Sequence, residues 1–493
     1  MNLGQSIRSG AKWLIAGRVG TRLLEFAFGV ILARLLVPAD FGMIVTIAVF
    51  TGFVGMLTSG GMGQSLIRAK EADENDFAVV FTLQLALGVL VYLGFFLAAP
   101  WLAEYFGNPL YEDLIRVSTI VFLMRPFAYI RTSWLNREMQ FKQRSMIDVT
   151  NGALAGVTSV LMAWAGMGVW SLTVSGLIAA LSNNVLLARI TPLRLRLKWD
   201  PAILRRHGAF GVKITANDFL SYLTRESKNL IISKLAGPGF LGLFNKADSL
   251  ARIPNQLIVP ATIEPVFRAM GKVQDDLDQT KYLFYRTITL FMVYTTPIYI
   301  GIWWVAEPFI GFVYGDQWLP AAEPLAILVL AGVFRTIGFP CAALLAAQNR
   351  LGQEMVALAV NLVVVSGACI IGLNWGLKGV AWGVAASQVF GAIYLFVLAY
   401  HALPTRIADL GRAVLPGLIL NAPLAVALAL THYILGDGVA GSRLAYLLLM
   451  TLVGAVVYVT SLLFLPIPAI RAEAARWRQQ FGKVLAAGRR PFS

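Results

Sequence analysis

The chain has 493 residues, of which 58% are hydrophobic and only 14% are charged, and its mean hydropathy is +0.70. This composition excludes a soluble globular protein and predicts an all-α polytopic membrane protein. The net charge of +15 does not indicate a nucleic-acid partner, because most basic residues lie between the apolar segments, as in the loops of membrane proteins.

Fourteen apolar segments are long enough for a helix of about 20 residues to cross the bilayer. We call them predicted spans 1 to 14. They cover residues 11–36, 41–67, 77–99, 112–135, 145–165, 168–188, 208–235, 239–267, 283–306, 320–347, 353–373, 377–400, 411–435 and 442–465.

The connections between these spans alternate in charge. Residues 189–206 are rich in Arg and Lys, whereas residues 100–113 on the opposite side, PWLAEYFGNPLYED, contain neither. Basic connections stay in the cytoplasm. We therefore expect about fourteen crossings with both termini cytoplasmic.

A weak internal repeat divides the chain. Residues 33–43, ARLLVPADFGM, match residues 233–243, SKLAGPGFLGL, although chance similarity between glycine-rich helix ends is an alternative. A unit of six spans has an even number of crossings, so both copies run in the same direction. We predict two parallel-repeat six-helix lobes, a terminal helix pair and a basic cytoplasmic tail, at residues 1–200, 201–405, 406–466 and 467–493.

Polar residues form one face of predicted span 7, and spans 1 and 8 carry similar faces. A cation at the bilayer centre costs about 2.5–3.5 kcal/mol on insertion scales, so these side chains should face protein or water. Basic residues exceed acidic ones, which favours a phosphate-bearing ligand because Arg binds phosphate oxygens in pairs. The candidate ligand contacts are Arg18, Arg22, Lys213, Asn217, Arg225, Lys228, Lys246 and Arg252.

The alternative is that these charges form closed ion pairs between or within helices. The pairs would be Arg22 with Glu25, Arg252 with Asp248, and Arg225 or Lys228 with a neighbouring acid, Asp218 or Glu226. Two further cations, Arg116 and Arg125 in span 4, are interpreted as long side chains that reach the outer interface.

Several chemistries have no support in the sequence. It contains neither GxxxxGK[ST] nor GxSxG, its three histidines are widely separated, and its two cysteines lie in apolar runs. We therefore expect no metal, no cofactor and no enzymatic activity. A proton or sodium gradient is the expected energy source, with Glu25, Asp218 and Asp248 as candidate ion-coupling residues.

The basic tail, residues 468–490, follows the last predicted span. Its Trp477 and Phe481 are four residues apart, which favours a helix on anionic lipid headgroups. A solvated, frayed tail is the alternative.

Several motifs resemble those of Wzx-type polysaccharide flippases, and more closely the WzxC-like branch of the multidrug/oligosaccharidyl-lipid/polysaccharide exporter superfamily. The similarity extends over nearly the whole chain. The motifs are SGAKW at 9–13, ARLLVPADFG at 33–42, GGMGQSLIR at 60–68, NREMQFKQ at 136–143, YGDQW at 314–318 and FRTIGFPCAALLAAQNR at 334–350.

This resemblance implies two six-helix lobes with a cationic cavity, in the bacterial cytoplasmic (inner) membrane. It implies a flippase that moves undecaprenyl-diphosphate-linked oligosaccharide from the inner to the outer leaflet by alternating access, for extracellular or capsular polysaccharide. Membrane lipids, a polysaccharide polymerase and a chain-length regulator are the expected partners. Two alternatives stay open: a multidrug antiporter of the same fold, and a membrane-embedded polymerase or ligase.

Overall fold

The structure is a computed structural model. It describes residues 3–59, 66–67, 73–403, 405–439 and 442–488, without the side chains of 3–12, 14–15, 57–59, 205–218, 435–439 and 481–488. Two compact units divide the chain, Met1–Asn245 and Lys246–Ser493, here called unit 1 and unit 2. The lobe and tail boundaries predicted from the sequence, at residues 200, 405 and 466, stay predictions.

Every regular element in the described ranges is a helix. Unit 1 contains α1 Leu3–Leu35, α2 Pro38–Ser59, α3 Glu74–Phe106, α4 Leu110–Ser118, α5 Val121–Arg137, α6 Phe141–Trp164, α7 Trp170–Ile190 and most of α8 Pro201–Ala251. Unit 2 contains the end of α8 and then α9 Ile253–Lys272, α10 Leu277–Val313, α11 Ala322–Ala347, α12 Leu351–Gly372, α13 Gly376–Ala402, α14 Ile407–Val439, α15 Arg443–Phe464 and α16 Arg471–Gly488.

Each predicted span overlaps one or two of these helices. Within the described residues, nine stretches are long and apolar enough to cross a membrane. The predictions of an all-helical fold and of a multi-pass membrane protein are therefore confirmed. Fourteen crossings and cytoplasmic termini stay predictions.

Local chemistry explains where two predicted spans differ from the helices. Predicted spans 7 and 8 share the long helix α8, which is kinked at Gly237, where φ is 84° and ψ is 174°. Glycine adopts a positive φ at no steric cost, and Pro238 after it has no amide hydrogen to donate. Predicted span 4 is divided into α4 and α5 by a turn at residues 119–120.

The tail helix α16 begins on the surface of unit 2. Glu473 Oε1 lies 3.0 Å from Arg286 Nη2 on α10, and Trp477 Nε1 donates a 3.1 Å hydrogen bond to the hydroxyl of Tyr294. Ile470 just before this helix is fully buried. The first turns of the tail therefore pack on protein. For the rest of the tail, a helix on lipid headgroups and a solvated, frayed end both stay predictions.

Candidate functional site

One side of α1 packs closely against α6. A Cβ atom on Gly17 would lie 2.6 Å from Ser145 Cβ, and a Cβ atom on Gly156 of α6 would lie 2.0 Å from the Phe28 ring. Small residues at these positions let the two helices approach. The charged side chains of α1 that the structure describes, Arg18, Arg22, Glu25 and Arg34, are exposed, so this packing positions a polar face without covering it.

That face carries a solvent-exposed ion pair and a further solvent-exposed arginine. Arg22 Nη1 lies 2.9 Å from Glu25 Oε2, with side chains 75% and 54% exposed. Arg18, one turn earlier, is exposed and forms no ion pair with any residue that the structure describes. An exposed pair contributes only about 0–1 kcal/mol, so Arg22 can exchange Glu25 for another anion at little cost.

The second half of the predicted basic surface lies on α8, which hydrogen bonds fix to α2. The hydroxyl of Tyr222 donates to the carbonyl of Val49 at 2.7 Å, and the hydroxyls of Ser233 and Thr46 lie 2.6 Å apart. Both contacts are buried. The stretch from residue 222 to residue 233 is thus held rigidly along α2 within unit 1.

Within that stretch the two predicted cations differ in environment. Arg225 is 51% exposed and its Nε lies 3.0 Å from Glu226 Oε1, while Asn229 Nδ2 donates to Glu226 Oε2 at 2.7 Å. Lys228 is only 4% exposed. Three further predicted site residues have side chains outside the described part of the chain: Lys213, Asn217 and Asp218.

The two turns matched by the sequence repeat contact each other reciprocally inside unit 1. A Cβ atom on Gly42 would lie 1.8 Å from the carbonyl oxygen of Pro238, and a Cβ atom on Gly242 would lie 1.9 Å from that of Pro38. Such backbone-to-backbone contact requires glycine on both sides. Reciprocal contact between matched residues is what a two-fold repeat would produce.

The predicted site residues of unit 2 are engaged in closed contacts. Arg252 Nε donates to Asp248 Oδ2 at 3.0 Å, and the Asp248 side chain is 4% exposed. Lys246 Nζ lies 4.5 Å from the ring centre of Tyr314 and 4.8 Å from that of Trp318. Burial raises the pKa of the Tyr314 hydroxyl to about 12, so this ring stays neutral at physiological pH.

A cavity of about 380 Å³ lies inside unit 1, and sequence reasoning missed it. We call it the Arg125 cavity. The two cations of predicted span 4 have different surroundings. Arg116 lies 2.6 Å from Glu112, whereas Arg125 faces the cavity. It is lined from α2, α5 and α7 by Ala48, Thr51, Gly52, Val121, Phe122, Met124, Arg125, Ala128, Ala180, Asn183 and Asn184.

Comparison with known proteins decides the family. The sequence profile of the polysaccharide biosynthesis protein family matches residues 31–323, more than half of the chain. The chain belongs to the polysaccharide biosynthesis protein family. The predicted resemblance to polysaccharide flippases is confirmed by this match and by the names of the proteins to which the chain is similar.

Two such relatives are distant but extensive matches. This polysaccharide biosynthesis protein is 24% identical over 400 residues to lipopolysaccharide biosynthesis protein WzxC of Escherichia coli K12, covering 80% of each chain. It is 25% identical over 352 residues to succinoglycan biosynthesis transport protein ExoT of Rhizobium meliloti strain 1021, covering 71% of each chain.

A solved structure of another protein has a similar fold. The lipid II flippase MurJ in an inward closed conformation superposes with a TM-score of 0.71 at 16% identity, covering 91% of this chain and 97% of MurJ. At this identity the likeness concerns the fold alone.

Proposed function

We propose that this protein is a flippase for undecaprenyl-diphosphate-linked oligosaccharide repeat units in the bacterial cytoplasmic membrane, acting by alternating access for extracellular or capsular polysaccharide synthesis. The observation that carries the proposal is the exposed basic face of α1, with Arg18 outside any described ion pair and Arg22 in a loose one. The names of WzxC, ExoT and MurJ support the same class of cargo.

The diphosphate is the part of this cargo that the basic face would bind. A planar guanidinium donates two parallel hydrogen bonds to phosphate oxygens, and Arg18 and Arg22 are one helical turn apart. Glu25 competes with the phosphate for Arg22, so binding would release this carboxylate. In this scheme Glu25 is the accessible candidate for proton or sodium coupling among those with described side chains, since it is 54% exposed whereas Asp248 is 4% exposed.

The matched turns support the alternating-access part of the proposal. With fourteen crossings and cytoplasmic termini, both turns lie at the outer side of the membrane, where their reciprocal contact would close one end of a path between two repeats. Transport would require these turns to separate. A polysaccharide polymerase and a chain-length regulator would then act on the exported units.

The direct test is diphosphate binding by purified protein in nanodiscs, with undecaprenyl diphosphate as the probe. Replacing Arg18 and Arg22 together by Gln should weaken binding by about tenfold or more, because charge-assisted hydrogen bonds contribute roughly 1.5–3 kcal/mol each. Export of polysaccharide in cells should fall in parallel. The matched control is Arg268→Gln, which removes an exposed pair of similar geometry on α9, 2.7 Å from Glu264.

A second variant tests the contribution of α8. Arg225→Gln combined with Lys228→Gln should abolish export. Because Lys228 is buried, membrane insertion and monodispersity must be measured alongside. Undiminished diphosphate binding and export in both well-folded double variants would contradict the proposed function.

A further inference from the structure

Among the residues that the structure describes, the Arg125 cavity is lined by one cation and by no carboxylate. Among its lining residues none is Asp or Glu, and Arg125 forms no ion pair within the described residues. The side chain is exposed to the cavity rather than packed away. Arg125 belongs to the middle of predicted span 4, where a cation facing lipid is costly, so an anion in the cavity is the natural partner.

Glycine at residue 55 of α2 leaves space for the guanidinium beside the backbone. A Cβ atom on Gly55 would lie 2.2 Å from Arg125 Nη1, so the guanidinium lies directly against the backbone at Gly55. A side chain at residue 55 would push the end of the Arg125 side chain aside. The guanidinium thus lies between the α2 backbone and the cavity, where its N–H groups can reach a ligand.

A second donor converges on the same space. Asn183 Oδ1 accepts a 2.8 Å hydrogen bond from Asn151 Nδ2, which fixes the orientation of the Asn183 amide. Asn183 Nδ2 then has no hydrogen-bond acceptor among the described groups, and Asn183 lines the cavity. A guanidinium and an amide N–H₂ together suit a group that only accepts hydrogen bonds, which is the property of an ionised oxyanion.

Charge balance and size select among oxyanions. One Arg neutralises one negative charge, whereas a phosphate monoester carries about −1.5 to −2 and would leave charge uncompensated among apolar walls. A cavity of about 380 Å³ is at the small end of sites for organic ligands, which start near 300 Å³. A carboxylate on one sugar ring satisfies both conditions.

We propose that the Arg125 cavity binds the carboxylate of an acidic sugar, with Arg125 and Asn183 as its donors. This inference rests on the proposed function, because it assigns a carboxylated sugar to the transported repeat unit. The diphosphate contacts on α1 and the carboxylate contacts in the cavity are then separate sites for two ends of one polar headgroup.

Calorimetric titration of the nanodisc protein with D-glucuronate, D-glucose and inorganic phosphate tests the inference. Glucuronate should bind at least about tenfold more tightly than the other two, and Arg125→Gln should remove that difference. Asn183→Leu and Gly55→Ala keep the charge, and each should weaken glucuronate binding severalfold. Arg116→Gln on α4 is the matched control, since Arg116 is engaged by Glu112 and by the Phe96 ring.

Three results would contradict carboxylate binding in the Arg125 cavity. Equal binding of glucose and glucuronate, tighter binding of phosphate, or glucuronate binding that survives Arg125→Gln would each overturn the inference. If Arg125→Gln does not fold, Gly55→Ala and Asn183→Leu decide in the same way. Undecaprenyl diphosphate is titrated in the same preparation: its binding without glucuronate binding overturns only the inference, and the reverse result overturns only the proposed function.

Discussion

Unit 1 and unit 2 each have an ion pair between predicted site residues of one helix, yet the two pairs differ in exposure. The pair of Arg22 and Glu25 in unit 1 is 75% and 54% exposed, whereas the pair of Arg252 and Asp248 in unit 2 is 16% and 4% exposed. Spacing along the helix is nearly the same, i to i+3 and i to i+4. Burial of both partners, and not spacing, therefore separates a pair that can open to a ligand from one that fixes the fold.

The physical basis of this difference is desolvation. A buried pair has already lost its water, so losing one partner strands the other charge in a medium that solvates it poorly. An exposed pair loses only a screened attraction and regains water. Loss of the acidic partner should thus affect stability at the buried pair of unit 2 and ligand binding at the exposed pair of unit 1.

The largest expected effect comes from Asp248→Ala. Removing the carboxylate that Arg252 binds should lower the free energy of unfolding by about 3–5 kcal/mol. Glu25→Ala, the equivalent change in unit 1, should cost less than about 1 kcal/mol. Thermal unfolding of the detergent-solubilised protein, followed by size-exclusion chromatography, measures both. Equal losses of stability would break the distinction between the two pairs.

The sequence predicted these pairs but could not assign their burial. Arg22 with Glu25 and Arg252 with Asp248 follow from helical spacing alone, because residues three or four apart share a face. Their exposure depends on which helices pack against that face. Lys246 shows the same limit: its contacts, Tyr314 and Trp318, are far along the chain and meet it only in the folded unit.

The Arg125 cavity combines features that are visible in the sequence with contacts that only the fold supplies. A cation at mid-span and the Asn183–Asn184 pair in an apolar helix are both visible in the sequence, and each is a known sign of a polar interior. Their convergence with Gly55 depends on how α2, α5 and α7 pack. The helices could be predicted from the length of the apolar segments, because that signal is local. The cavity could not, because it depends on contacts between segments far apart in the sequence.

A smaller effect is expected from Glu473→Gln, which tests the contrast within unit 2. Glu473 binds Arg286 at 3.0 Å and Arg476 at 3.2 Å and is 11% exposed. Losing these charged contacts should weaken docking of α16 by about 1–3 kcal/mol. Limited proteolysis within α16 should accelerate accordingly. Glu264→Gln, in a pair 73% and 67% exposed, is the matched control and should leave the rate unchanged; equal acceleration would show that burial does not matter here.

The smallest effect concerns a charge in unit 1 that is exposed yet fixed. Asp73 caps α3: its carboxylate accepts 2.9 Å hydrogen bonds from the backbone N–H groups of Asp76 and Asn75, and Asp76 completes the capping box. The N–H of Asp76, followed by the amides of Asn75, favours the charged form and lowers the pKa of Asp73 below its usual value. Exposure alone therefore does not make a charge exchangeable.

The sign of the pH dependence follows from that lowered pKa. The stabilisation by ionised Asp73 is complete above its unfolded pKa of about 3.9 and is lost as the pH falls through the lower folded value. At pH 7, Asp73→Ala should cost about 1 kcal/mol, seen as roughly fivefold faster hydrogen exchange in the first turn of α3. Asp73→Asn caps equally well without a charge, so it should keep the protection at every pH. If the first turn of α3 exchanges no faster in Asp73→Ala than in the parent protein at pH 7, the Asp73 carboxylate does not stabilise the helix. Exposure alone would then separate fixed charges from exchangeable ones.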